Sequence, residues 1–291
     1  MDLNVALQNK SLQELRALER EIAREHLGKF PWFSLFWGTT NLLCWLALWP
    51  LVLLDWLPLW LGCLIASANI ALCYLPSHEA QHSIFAMPGT RWRWLNELVG
   101  HLFIFPLLLP FRAARATHLQ HHKYTNDPER DPDYDTHAET LPGAVWASLK
   151  WRQLNPRSGK YRYLKTLHEL GRQDLVREVV LFEVGFIVFL CVMAWHGFAL
   201  EAGLLWWVPR HIGMTYLHVM LSWAPHNPGL GVGRYQDTHS FRSVLGNVGT
   251  QGMQYHIVHH LYPRIPLART PRAYWQMRAI IKAQGGHVDR L

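Results

Sequence analysis

Four stretches of this chain stay apolar over close to the ~20 residues that a helix needs to cross a bilayer, and nothing else in the sequence limits its fold as strongly. They run from Pro31 to Leu54, Trp56 to Leu75, Val179 to Leu200 and Gly203 to Trp223, with Asp55 alone parting the first two. Within hydrocarbon every backbone N–H and C=O must be bonded inside its own segment, so such runs become helices. The run Leu98–Phe111 is too short to cross comfortably and reads as a re-entrant or interfacial segment. Half of the 291 residues are hydrophobic and 15 are Trp, which these runs explain better than a soluble core does. The expectation is an all-α integral membrane protein. It has about four transmembrane helices, a re-entrant or interfacial segment, and a cytoplasmic helical cap.

Lysine and arginine set the orientation. They are absent from the turns near Asp55 and between Trp195 and Gly203, and concentrated in the N-terminal segment, in 112–177 and in the C-terminal tail. The positive-inside rule makes those three regions cytoplasmic, in a membrane that is expected to be a bacterial inner membrane. The formal charge of +7 therefore reports topology and not nucleic-acid binding. The chain divides as one membrane domain over 1–291. Residues 1–30 form an amphipathic helix, with Leu12, Leu15, Leu18 and Ile22 at helical spacing, lying on the membrane or solvated. Residues 31–111 hold the first two spans and the re-entrant segment, 112–177 a cytoplasmic region, 178–224 the last two spans, and 225–291 a cytoplasmic C-terminal region. The segment 1–30 mixes acidic and basic residues and lacks a cleavage site of small residues, so it is not a signal peptide. Cys44, Cys63, Cys73 and Cys191 lie within the apolar runs, with neither disulfide nor thiolate-metal spacing, and are expected to pack in the core.

The chemistry sits in three tight histidine strings just outside these runs: His78-Glu-Ala-Gln-His82, His118-Leu-Gln-His121-His122 and His256-Ile-Val-His259-His260. Residues three and four apart share one helix face, so each string can aim its imidazoles at one point. With 18 histidines in the chain, an H-x-x-H-H string arises by chance on the order of 0.1 times or less, and here there are two. All three strings fall on the side that charge alone assigns to the cytoplasm. Eight imidazoles exceed what one ion needs and point to a pair of metal ions, for which imidazole-rich, oxygen-handling sites favour iron.

Two other readings compete. His78-Glu79-x-x-His82 matches the zinc-peptidase signature, with Glu79 as the catalytic base. That leaves the other two strings without a role. His211 and His218, seven apart in the last run, have the character of haem ligands, but an axial pair needs one histidine per helix at membrane depth.

The strings and their surroundings resemble the membrane fatty-acid desaturase and hydroxylase superfamily over about residues 30 to 280. His118-Leu-Gln-His-His-Lys-Tyr-Thr-Asn-Asp-Pro-Glu-Arg-Asp-Pro-Asp133 is similar to the second histidine box of bacterial desaturases and carotenoid hydroxylases, and Tyr255-His-Ile-Val-His-His-Leu-Tyr-Pro263 to the third. The resemblance implies a di-iron centre carried by the cytoplasmic cap. It adds a ninth ligand, His226 in Trp223-Ala-Pro-His-Asn-Pro228, to His78, His82, His118, His121, His122, His256, His259 and His260. Some desaturases carry an Asn four residues before that histidine, where this chain has Ser222. Ligating histidines donate their other N–H to carboxylates or carbonyls. Glu79, Asp127, Asp131 and Asp133 are placed for this, with turn formation as the alternative for the Asp-Pro pairs. His101 is a weaker candidate for such support. Arg210 lies about 10 Å below the outer boundary by helical rise and Glu183 near the cytoplasmic end of its run, so the two are not expected to pair.

The resemblance implies two Fe2+ ions that use O2 to remove hydrogen from an unactivated C–H bond of a fatty acyl or lipid chain, giving a double bond. Alternatives are hydroxylation of a carotenoid-like or other long apolar substrate, and oxidative decarboxylation of a fatty acid to a terminal alkene. The chain has no dinucleotide fingerprint and no cysteine cluster, so electrons must come from a separate ferredoxin, rubredoxin or cytochrome with its NAD(P)H reductase. Arg152, Arg157, Lys160, Arg162, Lys165 and Arg172 form a candidate dock for an acidic carrier, or attract anionic lipid. Ser67, Ile70, Ala71 and Tyr74 share a helical face with His78 and are the expected acyl pocket.

Overall fold

The computed structural model describes residue 7 and residues 10–153, 155–227 and 231–288; the other residues of the expected 1–30 segment, 1–6, 8 and 9, lie outside this set. Helix α1 (Leu12–His26) opens with a capping box, in which the Ser11 hydroxyl accepts from the Glu14 N–H and the Glu14 carboxylate accepts from the Ser11 N–H. Its apolar stripe is partly taken up by protein, with Leu12 left exposed. Leu15, Leu18 and Ile22 pack against Ile280 of the C-terminal helix α15 (Thr270–Ala283). On the same face Glu19 is fully buried. It accepts from Tyr262 Oη (2.8 Å), Tyr235 Oη (3.0 Å), Gln284 Nε2 (2.7 Å) and Arg234 Nη2 (3.2 Å).

Helix α2 is Trp32–Leu53, and α3 (Leu59–Ala71) runs on into α4 (Leu75–Gln81). By length and composition Trp32–Leu53 and Leu59–Gln81 can each cross a membrane. A third crossing results if the next two helices form one broken span. These are α5 (Arg93–Ile104), which continues as a tight turn to Leu107, and α6 (Phe111–Tyr124), bent from it by 94°. The bend falls within the segment expected to be re-entrant. Leu108 turns the chain with φ of 56°, and the Phe111 ring lies against the bare Cα of Gly100, where a side chain would collide.

Helices α7 (Leu141–Trp151) and α8 (Gly159–Glu169) occupy the polar region, and α9 is Gln173–Trp195. The chain returns through α10 (Ala199–Ala202), α11 (Val208–Leu217) and α12 (Ala224–His226), joined by wide π-helical turns at Gly203–Trp207 and His218–Trp223. Helix α11 lies backbone to backbone on α3 at Gly213, where a Cβ would stand 2.9 Å from Ile70 Cγ2. Short helices α13 (Gly246–Gly249) and α14 (His256–Leu261) precede α15. Among the described residues no strand forms beyond a lone bridge between His239 and His287.

Two expectations are corrected. Arg210 and Glu183 do pair, at 3.0 Å. Their depths were counted from different boundaries. Measured from the shared turn at 196–198, Glu183 and Arg210 are almost equally far along antiparallel helices, which sets them level. Of the cysteines only Cys73 is buried, and Cys191 is exposed on α9.

Candidate metal centre

Four helix ends converge. His78 and His82 come from α4 and its C-terminal cap, His118, His121 and His122 from α6, His226 from α12, and His256, His259 and His260 from α14. The spacing of three and four places each string on one face, and a π turn at His218–Trp223 leads into α12, which carries His226. The nine histidines sort into two sets of four with one between. In His78, His82, His118 and His259, one ring nitrogen from each lies within 4.8 Å of all the others, and the same holds for His121, His226, His256 and His260. His122 Nε2 lies 3.1 Å from both His118 Nε2 and His259 Nε2, and its ring is 4.3 Å from that of His260.

This arrangement fits a pair of cations and fits little else. A neutral imidazole has one N–H and one lone pair. His118 Nε2 is 2.9 Å from His78 Nε2, 2.9 Å from His82 Nε2 and 3.1 Å from His122 Nε2, and one nitrogen cannot satisfy three. The Nε2 atoms of His226, His256 and His260 are buried without a hydrogen-bond partner among the described residues. Converging lone pairs of this kind are stabilised by a metal ion at their centre. Burial holds His256, His259 and His260 well below the ordinary histidine range, so they stay neutral and able to ligate.

Carboxylates and carbonyls behind the rings set their tautomers. The His121 Nδ1–H donates to Asp131 Oδ1 (2.9 Å), and Asp131 in turn accepts from the Asn126 and Asp133 N–H groups, both at 2.9 Å. The His226 Nδ1–H donates to the Asp237 carbonyl (2.9 Å). Both bonds turn Nε2 inward. Burial raises Asp131 and the neighbouring His121 outweighs it, leaving the carboxyl below its usual value. Asp133 accepts from Ser222 Oγ at 3.2 Å and lies 3.9 Å from His121 Nδ1, and burial raises it.

Other candidates sit elsewhere. Asp127 closes a turn, accepting the Glu129 and Arg130 N–H groups and pairing with the Arg130 guanidinium, so the turn alternative holds for it. Glu79 is fully buried, and its Oε1 accepts the Leu267 N–H in the loop after the third string. Its Oε2 is buried without a hydrogen-bond partner among the described residues. His101 packs edge-on against Phe111, away from the cluster. Tyr74 stacks on His78 with ring centroids 5.6 Å apart, while Ile70 and Ala71 are pressed against α11 at Gly213. Ser67 donates to the Cys63 carbonyl. In the basic stretch, Arg162 pairs with Asp135, Arg172 with Asp174, Lys165 with Glu169 and Lys160 with Glu183, and Arg152 donates to the His211 carbonyl. Arg162, Arg172 and Lys165 are thus charge-paired, whereas Lys160 shares Glu183 with Arg210 and Arg152 bonds neutral acceptors.

The sequence reading missed Asp237. Its carboxylate lies 3.9 Å from His260 Nδ1 and is pushed up to about 6, chiefly by burial. It also missed Asn126, whose side-chain amide holds the Asp237 carbonyl at 2.8 Å and so ties the second string to this loop. Neither shows a periodic signal, since both lie in irregular chain.

A helical scaffold with spans of membrane length and nine converging histidines is compatible with a membrane protein that holds metal. The sequence model of the family "Fatty acid desaturase" matches residues 54–291, and the chain belongs to that family. It is 34% identical over 86 residues to the sn-1 oleoyl-lipid 12-desaturase of Anabaena variabilis, covering 30% of this chain and 23% of that one. It is 32% identical over 97 residues to the Delta(12) fatty acid desaturase fat-2 of Caenorhabditis elegans, covering 33% and 25%. The match to the dihydrorhizobitoxine desaturase of Bradyrhizobium elkanii is longer, 28% over 218 residues, and covers 65% and 59%. The chain thus spans about a quarter of the length of the first two relatives.

Proposed function

We propose that this chain is a membrane non-haem di-iron oxidoreductase that uses O2 and externally supplied electrons to introduce a double bond into a fatty acyl or lipid chain. The observation that carries it is the pair of four-histidine sets with His122 between them. His78, His82, His118 and His259 would hold one iron and His121, His226, His256 and His260 the other, with His122 between the two sets. Bound iron supplies the activation of O2 needed to take hydrogen from an unactivated carbon. The protein's part is positional. Asp131 and the Asp237 carbonyl lock two ligand rings, and Tyr74, beside His78, lines the acyl approach with Ser67, Ile70 and Ala71.

In this reading α9 and the α10–α12 helix also cross the membrane, giving four spans with the histidine strings on the cytoplasmic side. The exposed Val184, Ile187, Val188 and Val192 along α9 support this, because such a face suits lipid. Helices α7 and α8 then form the cytoplasmic cap. Electrons come from a separate ferredoxin, rubredoxin or cytochrome. A relative named as a ferredoxin-type omega-3 desaturase, from Nostoc sp. and 33% identical over 61 residues, favours the first.

Lipid profiling of cells expressing the wild type or His260→Ala tests the reaction. A product two hydrogens lighter, absent with the variant, supports desaturation. A product one oxygen heavier would replace the reading with hydroxylation, and a volatile terminal alkene with decarboxylation. Two irons per purified chain would separate all three from a zinc peptidase.

A further inference from the structure

A second polar site, lined by none of the nine converging histidines, lies at the junction of the apolar helices and the polar cap. It is a cavity of about 240 Å³ between α7, α8, α9 and α11. Phe186, Ile187, Leu190, Trp207 and Met214 make an apolar wall, and Arg152, Lys160, Arg210 and Glu183 line the same space.

The charges do not balance. Lys160 Nζ and Arg210 Nη2 share a single oxygen, Glu183 Oε1, at 3.1 and 3.0 Å. The remaining Arg210 bond goes to the Leu107 carbonyl at 3.1 Å. Among the described residues Arg152 meets neutral acceptors, the His211 carbonyl at 2.7 Å and Thr215 Oγ1 at 2.8 Å, and no carboxylate. Three cations thus face one carboxylate in a half-buried, largely apolar cavity. Uncompensated charge there is costly unless an anion completes it. The level of the site in the molecule also matters. From Val184 to Trp195 helix α9 carries no charged residue, so Glu183 marks where the polar cap gives way to apolar surface.

We propose that this cavity binds the anionic head of a membrane amphiphile, a carboxylate or phosphate seated among Arg152, Lys160 and Arg210. Its first methylenes lie along Phe186, Ile187 and Leu190. Arginine suits the planar, two-oxygen face of such a head, and lysine adds a point charge. The site is separate from the metal centre and needs no turnover, so its test is independent of the proposed reaction.

The test is saturable binding of radiolabelled oleate, dioleoylphosphatidylglycerol and, as the net-neutral control, dioleoylphosphatidylcholine to the purified full chain in neutral-detergent micelles. One site per chain for an anionic probe, and none for phosphatidylcholine, is expected. Saturation by oleate alone identifies a free fatty acid as the source, and by phosphatidylglycerol alone a phospholipid. Lys160→Gln should weaken binding roughly tenfold, the worth of a hydrogen bond to a charged group, and Lys160→Arg should retain it. Glu183→Gln removes the one competing anion and should tighten binding, whereas a purely structural ion pair gives weaker binding or a misfolded chain. Equal binding of neutral and anionic probes, or no effect of Lys160→Gln, would overturn the proposal.

Discussion

The His121 Nδ1–H points at Asp131 Oδ1 from 2.9 Å, with both side chains buried and ten residues apart in the chain. The carboxylate thereby chooses the tautomer and leaves the His121 Nε2 lone pair turned into its four-histidine set. Asp131→Asn keeps the shape but not the charge, and Asp131→Ala also strips the partner of the Asn126 N–H. Iron per chain, measured by elemental analysis after dialysis, should fall with both, by roughly tenfold or more in affinity for the alanine variant. An unchanged iron content in Asp131→Ala would show that the pair is only structural.

Glu79→Gln separates the two readings of the first string. A glutamine Oε1 can still accept the Leu267 N–H, so the di-iron reading expects the variant to keep most of its lipid product. A peptidase base would lose its activity completely with that change. Product yield per chain decides between them.

Glu19 gathers four donors from three distant segments of the chain. Glu19→Ala should cost about 2 kcal/mol or more, since the bonds lost involve a buried charge. The measurable result is faster tryptic cleavage at Arg20 and Arg24 of α1, with the protein otherwise intact.

Gly213 is where α11 lies on α3. Gly213→Leu should destabilise the protein by about 1–3 kcal/mol through overpacking. A lowered unfolding temperature in detergent would register it, while Gly185, which has nothing near its missing Cβ, serves as the tolerant control.

The metal-free protein should lose stability in acid. His256, His259 and His260 have depressed values when folded, so the unfolded chain binds more protons below the ordinary value of 6.5. Their contribution is present above that pH and lost as pH falls through it. Asp133 and Asp237 act with the opposite sign, their raised values favouring the folded state in acid, with Asp237 losing that contribution by about pH 6. His121, which Asp131 raises to about 9 against burial, also favours the folded state in acid. The more numerous depressed histidines should prevail, giving a thermal midpoint that drops between pH 6.5 and 5. Iron loading should shift that midpoint upward, because it adds ligand binding to the folded state alone.

The histidine strings were legible in sequence because their chemistry repeats with the helix. His118, His121 and His122 share a face before any tertiary contact exists. Asp237 was not legible, because its approach to His260 depends on the path of an irregular loop. The pairing of Arg210 with Glu183 is not legible because the two residues sit on different helices with no common depth marker in sequence, and because π turns add residues without adding a visible signal. The burial of Glu19 was equally unreadable. A lone acid on an amphipathic helix looks the same whether water or four donors surround it.

The clasp at Glu19 also dictates an order of assembly. Gln284 lies 265 residues beyond the carboxylate it holds. At ribosomal rates Glu19 waits on the order of ten seconds or more for Gln284. The third histidine string is packed between α1 and α15, with Ile257 and Val258 in the same apolar cluster as Ala23 and Tyr274. The third histidine string therefore cannot take its buried place until α15 has been made and has found α1.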